Sequence, residues 1–294
     1  VQKRKKKFYA KRGAWLFILP ILTLHVATIL VPATVGLYFS LTDWSGFGSA
    51  SFIGLENYRA LLTDAEFLQS LRNNLKWLAF FAIVPFSIAL TTAFLLSQVK
   101  RGGYAYRIAY FVPYVLPSVV IGSLWKFILN PDSGITAILS NFGVPGLDKA
   151  LLGQPSTALL TIAFVDNWHY WGFLATILLV ALQSVSPDLY EAARIDGANL
   201  RQQFKYVTIP GIRPTLVFML MMTCIWSFLV FEYVWVMSQG GPAGSTEVMA
   251  TYLYKAAFRE FSAGLAAAAG LTMTLSAAMV IGAFLVLRKR GWEI

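Results

Sequence analysis

Cysteine is almost absent: the 294 residues hold one, Cys224, inside an apolar run. This excludes a disulfide framework, a thiolate metal cluster and a CxxC redox pair. Histidine is nearly as scarce, and His25 and His169 stand too far apart for a recognised metal-ligand spacing. No GxxxxGK[ST] segment occurs, so the chain carries no phosphate loop for ATP hydrolysis of its own. Charge is sparse at 13% of residues, and it is gathered in short blocks rather than scattered as on a soluble surface. It is also unequal, 24 Lys and Arg against 14 Asp and Glu, for a net charge of +10. Cations confined to the flanks of apolar runs account for that excess, so no nucleic-acid partner is expected.

What the chain has in abundance is apolar length. With 57% hydrophobic and 15% aromatic residues it reads as a polytopic membrane protein. Six stretches are long enough to cross a hydrocarbon core that needs about 20 apolar residues as helix. They cover about 14–39, 77–99, 108–128, 158–185, 215–237 and 265–287. In lipid the backbone must satisfy its own polar groups, so these runs are expected as helices, and they are too continuous for the alternating segments of a barrel. The expected fold is an all-α membrane protein of six transmembrane helices: a basic N-terminus over 1–12, then a six-helix domain over 13–290. A basic block before an apolar run also describes a secretory signal. Residues 13–42, however, carry no formal charge and show no convincing small-residue cleavage site, so they are read as the first span.

Seventeen of the 24 Lys and Arg fall on one side of this arrangement: the block from Lys3 to Arg12, then Lys100, Arg101 and Arg107, then Arg194, Arg201, Lys205 and Arg213, then Arg288 to Arg290. The positive-inside rule places both termini and the loop 186–214 in the cytoplasm. The N-terminal block is also suited to anionic membrane lipid.

That loop, SPDLYEAARIDGANLRQQFKYVTIPGIRP, is a polar island between two spans. Ser186 is an N-cap, Pro187 fits the first helical position and Asp188 complements the helix dipole, so a helix starts there. Asp196-Gly197 supplies a turn, and Ala198 to Tyr206 is expected as a second short helix ended by Pro210. Ala192 and Ala193 let a facing surface come close to the backbone, while Glu191, Arg194, Arg201 and Lys205 offer polar contacts at the rim. Docking in a cleft and an ordinary amphipathic connection both fit these residues.

The spacing Glu191-Ala192-Ala193, three residues, Gly197, nine residues, Val207-Thr208-Ile209-Pro210, with Asp196-Gly197-Ala198 in the turn, resembles the EAA loop of bacterial ABC importer permeases. Val207 and Ile209 stand where that family usually has Ile and Leu. The resemblance extends over nearly the whole chain, through Tyr106 to Ser118, Asp166-Asn167-Trp168, Gly240-Gly241-Pro242 with Thr246, and Tyr252 to Phe258. These segments look like the first subunit of the maltose and glycerol-phosphate type of permease. The resemblance implies an ABC importer type I permease fold in a bacterial or archaeal cytoplasmic membrane. It also implies a second homologous permease, two copies of a cytoplasmic ATPase and an extracytoplasmic solute-binding protein. On that reading the chain is not an enzyme and binds no cofactor, ATP and Mg belonging to the ATPase. Glu191, Ala192, Ala193, Asp196, Gly197, Ala198 and Pro210 become its ATPase-coupling residues.

Polar residues near a bilayer midplane are expensive and mark transport pathways. Span four carries the densest group, Asp166, Asn167, Trp168, His169, Tyr170 and Trp171, with Phe173 beyond. Aromatic faces stack on sugar rings, and amide, imidazole and hydroxyl groups bond sugar hydroxyls. An interfacial aromatic belt, with Asp166 paired to Lys126, is the plainer reading; Trp168 is assigned to the sugar site and Trp171 to the belt. Tyr114 and Ser118 are four apart, as on one helix face, beside Pro113 and Pro117, which loosen a helix. Ser227, Phe228, Phe231 and Trp235 form a stripe in span five, with the acid Glu232 next to Phe231. The resemblance places the family's sugar contacts at Tyr114, Ser118, His169, Tyr170, Phe173, Ser227 and Val230. Here Val230 replaces a polar residue, and positions 169 and 170 are bulkier than usual. An ionised carboxylate in the membrane costs at least about 2.5 kcal/mol, so Glu232 is expected to pair, face water or be protonated. Asp166 and Glu232 would repel a phosphate ester, which favours a neutral sugar over glycerol 3-phosphate or another small polar solute, though Lys126 is available to offset either acid.

In span six Ala263, Gly264, Ala266 to Ala269 and Gly270 form a small-residue surface for packing within the chain or against a partner. The outer segments 41–72 and 131–154 are expected to include the surface on which a binding protein docks. A membrane-embedded glycosyltransferase would also show several spans and an aromatic cleft. It would need acidic residues at the membrane surface, where Asp188, Glu191 and Asp196 are interspersed with cations.

Overall fold

A computed structural model describes residues 17–99, 102–143 and 150–289. The expected basic N-terminus over 1–12 lies outside them. Regular structure among the described residues is helical, with one isolated bridge pairing Thr42 and Phe52. In chain order the helices are α1 (Phe17–Phe39), α2 (Glu56–Thr63), α3 (Ala65–Ser97), α4 (Gly103–Val115), α5 (Ser118–Ile128), α6 (Ile135–Asn141), α7 (Ala158–Gln183), α8 (Pro187–Ile195), α9 (Leu200–Gly211), α10 (Arg213–Leu229), α11 (Glu232–Met237), α12 (Met249–Phe258) and α13 (Ala263–Lys289).

Three helices, α1, α3 and residues 263–287 of α13, are long and apolar enough to cross a membrane singly. Three bent pairs bring the number to six if each pair is one span: α4 with α5 at 96°, α7 with α8 at 73°, and α9 with α10 at 72°.

The chain forms two compact units. The first, residues 1–61 and 253–271, is held in its described part by a polar knot. Asn57 Nδ2 donates to the carbonyls of Ser40 (2.9 Å) and Thr42 (2.8 Å), and the Gly264 amide donates to Trp44 O at 2.8 Å. A side chain at Gly264 would strike the Thr42 carbonyl, so part of the small-residue stripe of α13 serves close packing within this unit.

The second unit, 62–252 and 272–294, is organised around α7. Its apolar residues on every face, with Leu159, Ile162, Leu174, Leu178 and Leu179 buried, make it a central helix rather than an amphipathic one. It packs along α3, and Gly172 brings it against α4 so closely that any Cβ there would collide with the Tyr110 carbonyl oxygen. α3 begins at Asp64, whose side chain accepts the amides of Glu66 (2.7 Å) and Phe67 (3.4 Å), and runs for 33 residues. At 1.5 Å per residue that is about 50 Å, well beyond a hydrocarbon core of about 30 Å. The helix therefore starts twelve residues before Trp77, inside the stretch expected to be an outer segment.

Two expected helices are interrupted. Between α4 and α5, Leu116 (ψ 143°) and Pro117 (ψ 138°) are extended, because the residue before a proline is pushed out of helical conformation. Tyr114 and Ser118 thus lie on either side of a sharp bend, and not on one helix face. Between α10 and α11, Val230 (ψ 128°) and Phe231 (φ −140°) break the helix, so Ser227, Phe231 and Trp235 do not form a continuous stripe.

Candidate functional site

The break at Val230–Phe231 opens a cavity of about 220 Å³ inside the second unit. α7 supplies Asp166 and Tyr170, α3 supplies Trp77 and Phe81, and α10 with the break supplies Thr223, Trp226, Ser227, Leu229 and Val230. Glu232 and Tyr233 close it from α11. Trp77 and Phe81 stack in parallel (5.5 Å, 6°), Phe81 leans on Tyr170 (6.0 Å), and Trp226 meets Tyr170 edge-on (5.7 Å). The floor is polar: the Tyr170 and Thr223 hydroxyls are bonded at 2.8 Å, and Ser227 Oγ donates to the Thr223 carbonyl at 2.8 Å. An aromatic wall, paired hydroxyls and two carboxyl groups offer stacking faces and hydrogen-bonding groups of the kind that suit a polyhydroxylated ligand.

Of the sequence-predicted residues, the cavity gathers Asp166, Tyr170, Ser227 and Glu232. A neighbouring aromatic group takes three more: Tyr114 stacks on Phe173 (4.4 Å, 13°) and on His169 (5.2 Å, 25°), and His169 in turn approaches Tyr233 (6.0 Å). Asp166, His169, Tyr170 and Phe173 stand at i, i+3, i+4 and i+7, so one stripe of α7 runs from the cavity to this group. Trp168 is on another side of the helix, edge-on to Trp125 at 5.5 Å, and Trp171 contacts Tyr110. Asn167 is buried next to the stripe, Ser118 heads α5, and Phe231 stacks on Trp235 (5.6 Å, 14°). Lys126 Nζ lies 3.4 Å from the Val236 carbonyl, where it serves as a helix-end cation rather than as the partner of Asp166.

Sequence reasoning missed Trp77, Phe81, Thr223, Trp226, Leu229 and Tyr233. A signal existed, since Thr223, Trp226, Ser227 and Val230 repeat the i, i+3, i+4, i+7 spacing in α10.

The loop over 186–214 forms a second site. Ser186 Oγ accepts the Asp188 amide at 3.3 Å, with Pro187 in the first turn of α8. α8 ends in a Schellman turn: the Gly197 amide (φ +79°) donates to Arg194 O at 3.0 Å and the Ala198 amide to Ala193 O at 2.9 Å. α9 starts at Leu200, later than expected, because Asn199 and Gln202 cap it reciprocally (3.0 and 2.8 Å). It also passes through Pro210 to Gly211 rather than ending there. A wide turn over Phe204–Thr208 precedes the proline, with the Ile209 amide reaching back five residues to Phe204 O. Tyr190 Oη bonds Thr208 Oγ1 at 3.0 Å and ties α8 to α9. Glu191 and Ala192 are exposed, as are the apolar Leu189 and Ile195, the latter at 86%. Apolar side chains turned outward from a charged loop mark a contact surface.

A helical unit centred on α7, interrupted helices around a cavity, and a capped helix–turn–helix at one end define a transport permease of the ABC importer type. The chain belongs to the family of binding-protein-dependent transport system inner membrane components, whose pattern matches residues 83–290. It is 34% identical over 258 residues to the probable ABC transporter permease protein YurN of Bacillus subtilis (strain 168), covering 86% of this chain and 88% of that one. It is 30% identical over 295 residues to the probable starch degradation products transport system permease protein AmyD of Thermoanaerobacterium thermosulfurigenes, covering 99% of each. Its fold matches that in the crystal structure of a bacterial ABC transporter involved in the import of the acidic polysaccharide alginate, with a TM-score of 0.85 at 23% identity over 98% of this chain and 99% of that one. The chain is accordingly a multi-pass membrane component of a transport system.

Proposed function

We propose that this chain forms half of the translocation pathway of an ATP-driven importer for a neutral sugar or oligosaccharide delivered by an extracytoplasmic binding protein. The observation that carries the reading is the cavity at the α10–α11 break, where aromatic faces and the bonded Tyr170 and Thr223 hydroxyls surround a space of about 220 Å³. The starch-product relative supports a saccharide. Asp166 and Glu232 line the cavity with no cation among its walls, which disfavours a phosphate ester.

In this reading the other half comes from a second, homologous permease, and two cytoplasmic ATPase subunits engage the loop over 186–214. Leu189, Ile195 and the face around Glu191, Ala192 and Ala193 enter a cleft on the ATPase. ATP binding closes the ATPase pair, α8 and α9 move with it, and the permease pair turns from inward-facing to outward-facing as the binding protein releases sugar. Hydrolysis resets the pair. The chain performs no covalent chemistry; it binds, orients and couples. Both termini lie in the cytoplasm, and lipid covers the outer faces of the spans.

The test is uptake by the complex reconstituted with its cognate subunits, using maltotriose, cellotriose, diacetylchitobiose and glycerol 3-phosphate as probes. Saccharide uptake that needs ATP and binding protein is expected; uptake of glycerol 3-phosphate alone would overturn the substrate assignment. Trp168→Ala should leave the KM within about twofold, since the indole lies against Trp125 and not in the cavity.

A further inference from the structure

Two adjacent asparagines on α3, Asn73 and Asn74, are fully buried, at 0% exposure, in a helix whose other buried side chains, Ser70 apart, are apolar. Buried amides are retained where every donor and acceptor is used, and here the partners are backbone groups of distant segments. Asn74 Nδ2 donates to the Ser227 carbonyl at 2.7 Å, and Asn74 Oδ1 accepts the Met249 amide at 2.8 Å. Ser227 is in the last turn of α10, where a helix end leaves carbonyls open. Met249 is the first residue of α12, where a helix start leaves amides open. One side chain therefore closes the end of the helix that lines the cavity and the start of the helix that follows the Gly240-Gly241-Pro242 segment. Asn73 works only on the second side: its Nδ2 donates to the carbonyls of Ser245 (2.9 Å) and Glu247 (2.8 Å), and its Oδ1 accepts from Gln69 (3.0 Å). Tyr252 Oη donates to Asp64 Oδ2 and anchors α12 one turn further on.

We infer that Asn74 is a positioning residue for the cavity, holding the α10 break open in register with the segment 245–252, so that the two move as one. Asn74 touches none of the cavity space and acts through the Ser227 carbonyl. Asn73 fixes the segment 245–252 alone and is its internal control. The inference rests on the transport reading above only for its functional consequence; the mechanical link itself does not.

The experiment compares wild type, Asn74→Ala, Asn74→Asp and Asn73→Ala in the full complex in lipid nanodiscs, by amide hydrogen exchange and by saccharide uptake with the probes above. Asn74→Ala should speed exchange on the order of tenfold both over 230–234 and over 249–252, because both open groups lose their partner. Asn74→Asp, nearly the same shape, keeps an acceptor for Met249 and, in its ionised form at alkaline pH, loses the donor to Ser227, so there it should loosen 230–234 alone. Asn73→Ala should loosen the segment 245–252 and leave 230–234 as in wild type. In uptake, both Asn74 variants should raise KM about tenfold with basal ATP hydrolysis within about twofold of wild type. Unchanged exchange over 230–234 in both Asn74 variants overturns the inference, as does equal loosening there in Asn73→Ala. An unchanged KM, or a parallel loss of basal hydrolysis and uptake, reduces Asn74 to a structural residue. A wild-type complex that transports none of the saccharides sinks the transport reading instead, and the exchange comparison then decides the link on its own.

Discussion

The cavity and the loop over 186–214 are both made by interrupting helices, and they close the interruption in opposite ways. At 196–198 the chain closes on itself, with the Gly197 and Ala198 amides returning to carbonyls of the helix just finished. At 230–231 the closing group comes from α3, 153 residues away from Ser227 in the chain. A break sealed by neighbours needs only the right residues in a row. One sealed across helices exists only once the surrounding unit has assembled, and it responds to anything that shifts that unit. The loop thus suits a fixed handle and the cavity a part that changes shape.

Five substitutions separate the two. Gly172→Val should have the largest effect, because its Cβ would occupy the place of the Tyr110 carbonyl oxygen and drive α4 from α7. A loss of about 3 kcal/mol, at the top of the overpacking range, should appear as a large fall in the melting temperature of the detergent-solubilised complex. An unchanged melting temperature would show that the cavity unit tolerates rearrangement as freely as the loop. Gly197→Val comes next. Space around the residue is open, so the cost lies in forcing a β-branched side chain to a φ of +79°. Uptake should fall by about tenfold or more, with membrane insertion intact and the cavity unit as stable as wild type. Normal ATP-driven uptake in this variant and in Glu191→Lys would count against the loop as the coupling element.

Tyr170→Phe should be smaller. It removes the bond to Thr223 at the cavity floor, worth about 1 kcal/mol, and should shift saccharide KM by about fivefold without changing basal ATP hydrolysis. A change in hydrolysis with constant KM would move Tyr170 from the pathway to the coupling machinery. Ser186→Ala should be the mildest, about 0.5–1 kcal/mol from an exposed N-cap, visible as faster proteolysis of α8 in the free permease and little change in uptake by the assembled complex.

The same contrast explains what was legible in the sequence. Ser186, Pro187 and Gly197 act on groups within a few residues of themselves, so capping chemistry announced the first loop helix and its turn. Asn199 with Gln202 was equally local, yet the preceding Ala198 was taken into the second helix, and Pro210 was read as a stop because the wide turn ahead of it leaves no compositional mark. In the membrane, Pro117 signalled a weakness that proved to be a bend of 96°. Val230 and Phe231 signalled nothing, since neither glycine nor proline stands at that break. Asp166, Tyr170, Ser227 and Glu232 were found as polar residues in apolar surroundings, whereas Trp77 and Phe81 looked like any core aromatics until α3 was placed against α7. Asn73 and Asn74 have partners more than 150 residues away, and no local pattern encodes such a distance.

Gly172 has a consequence for how the molecule can deform. Where a backbone oxygen rests directly on a neighbouring helix, there is no layer of side chains to act as a bearing, and the two helices are welded at that point. Sliding of α4 along α7 is therefore opposed at this point. The compliance falls to joints that carry no such weld, the extended pairs 116–117 and 230–231, which absorb changes in φ and ψ at the ends of helices. The cavity borders one of these joints, so torsion at Val230 and Phe231 can change its volume without any sliding of α4 along α7.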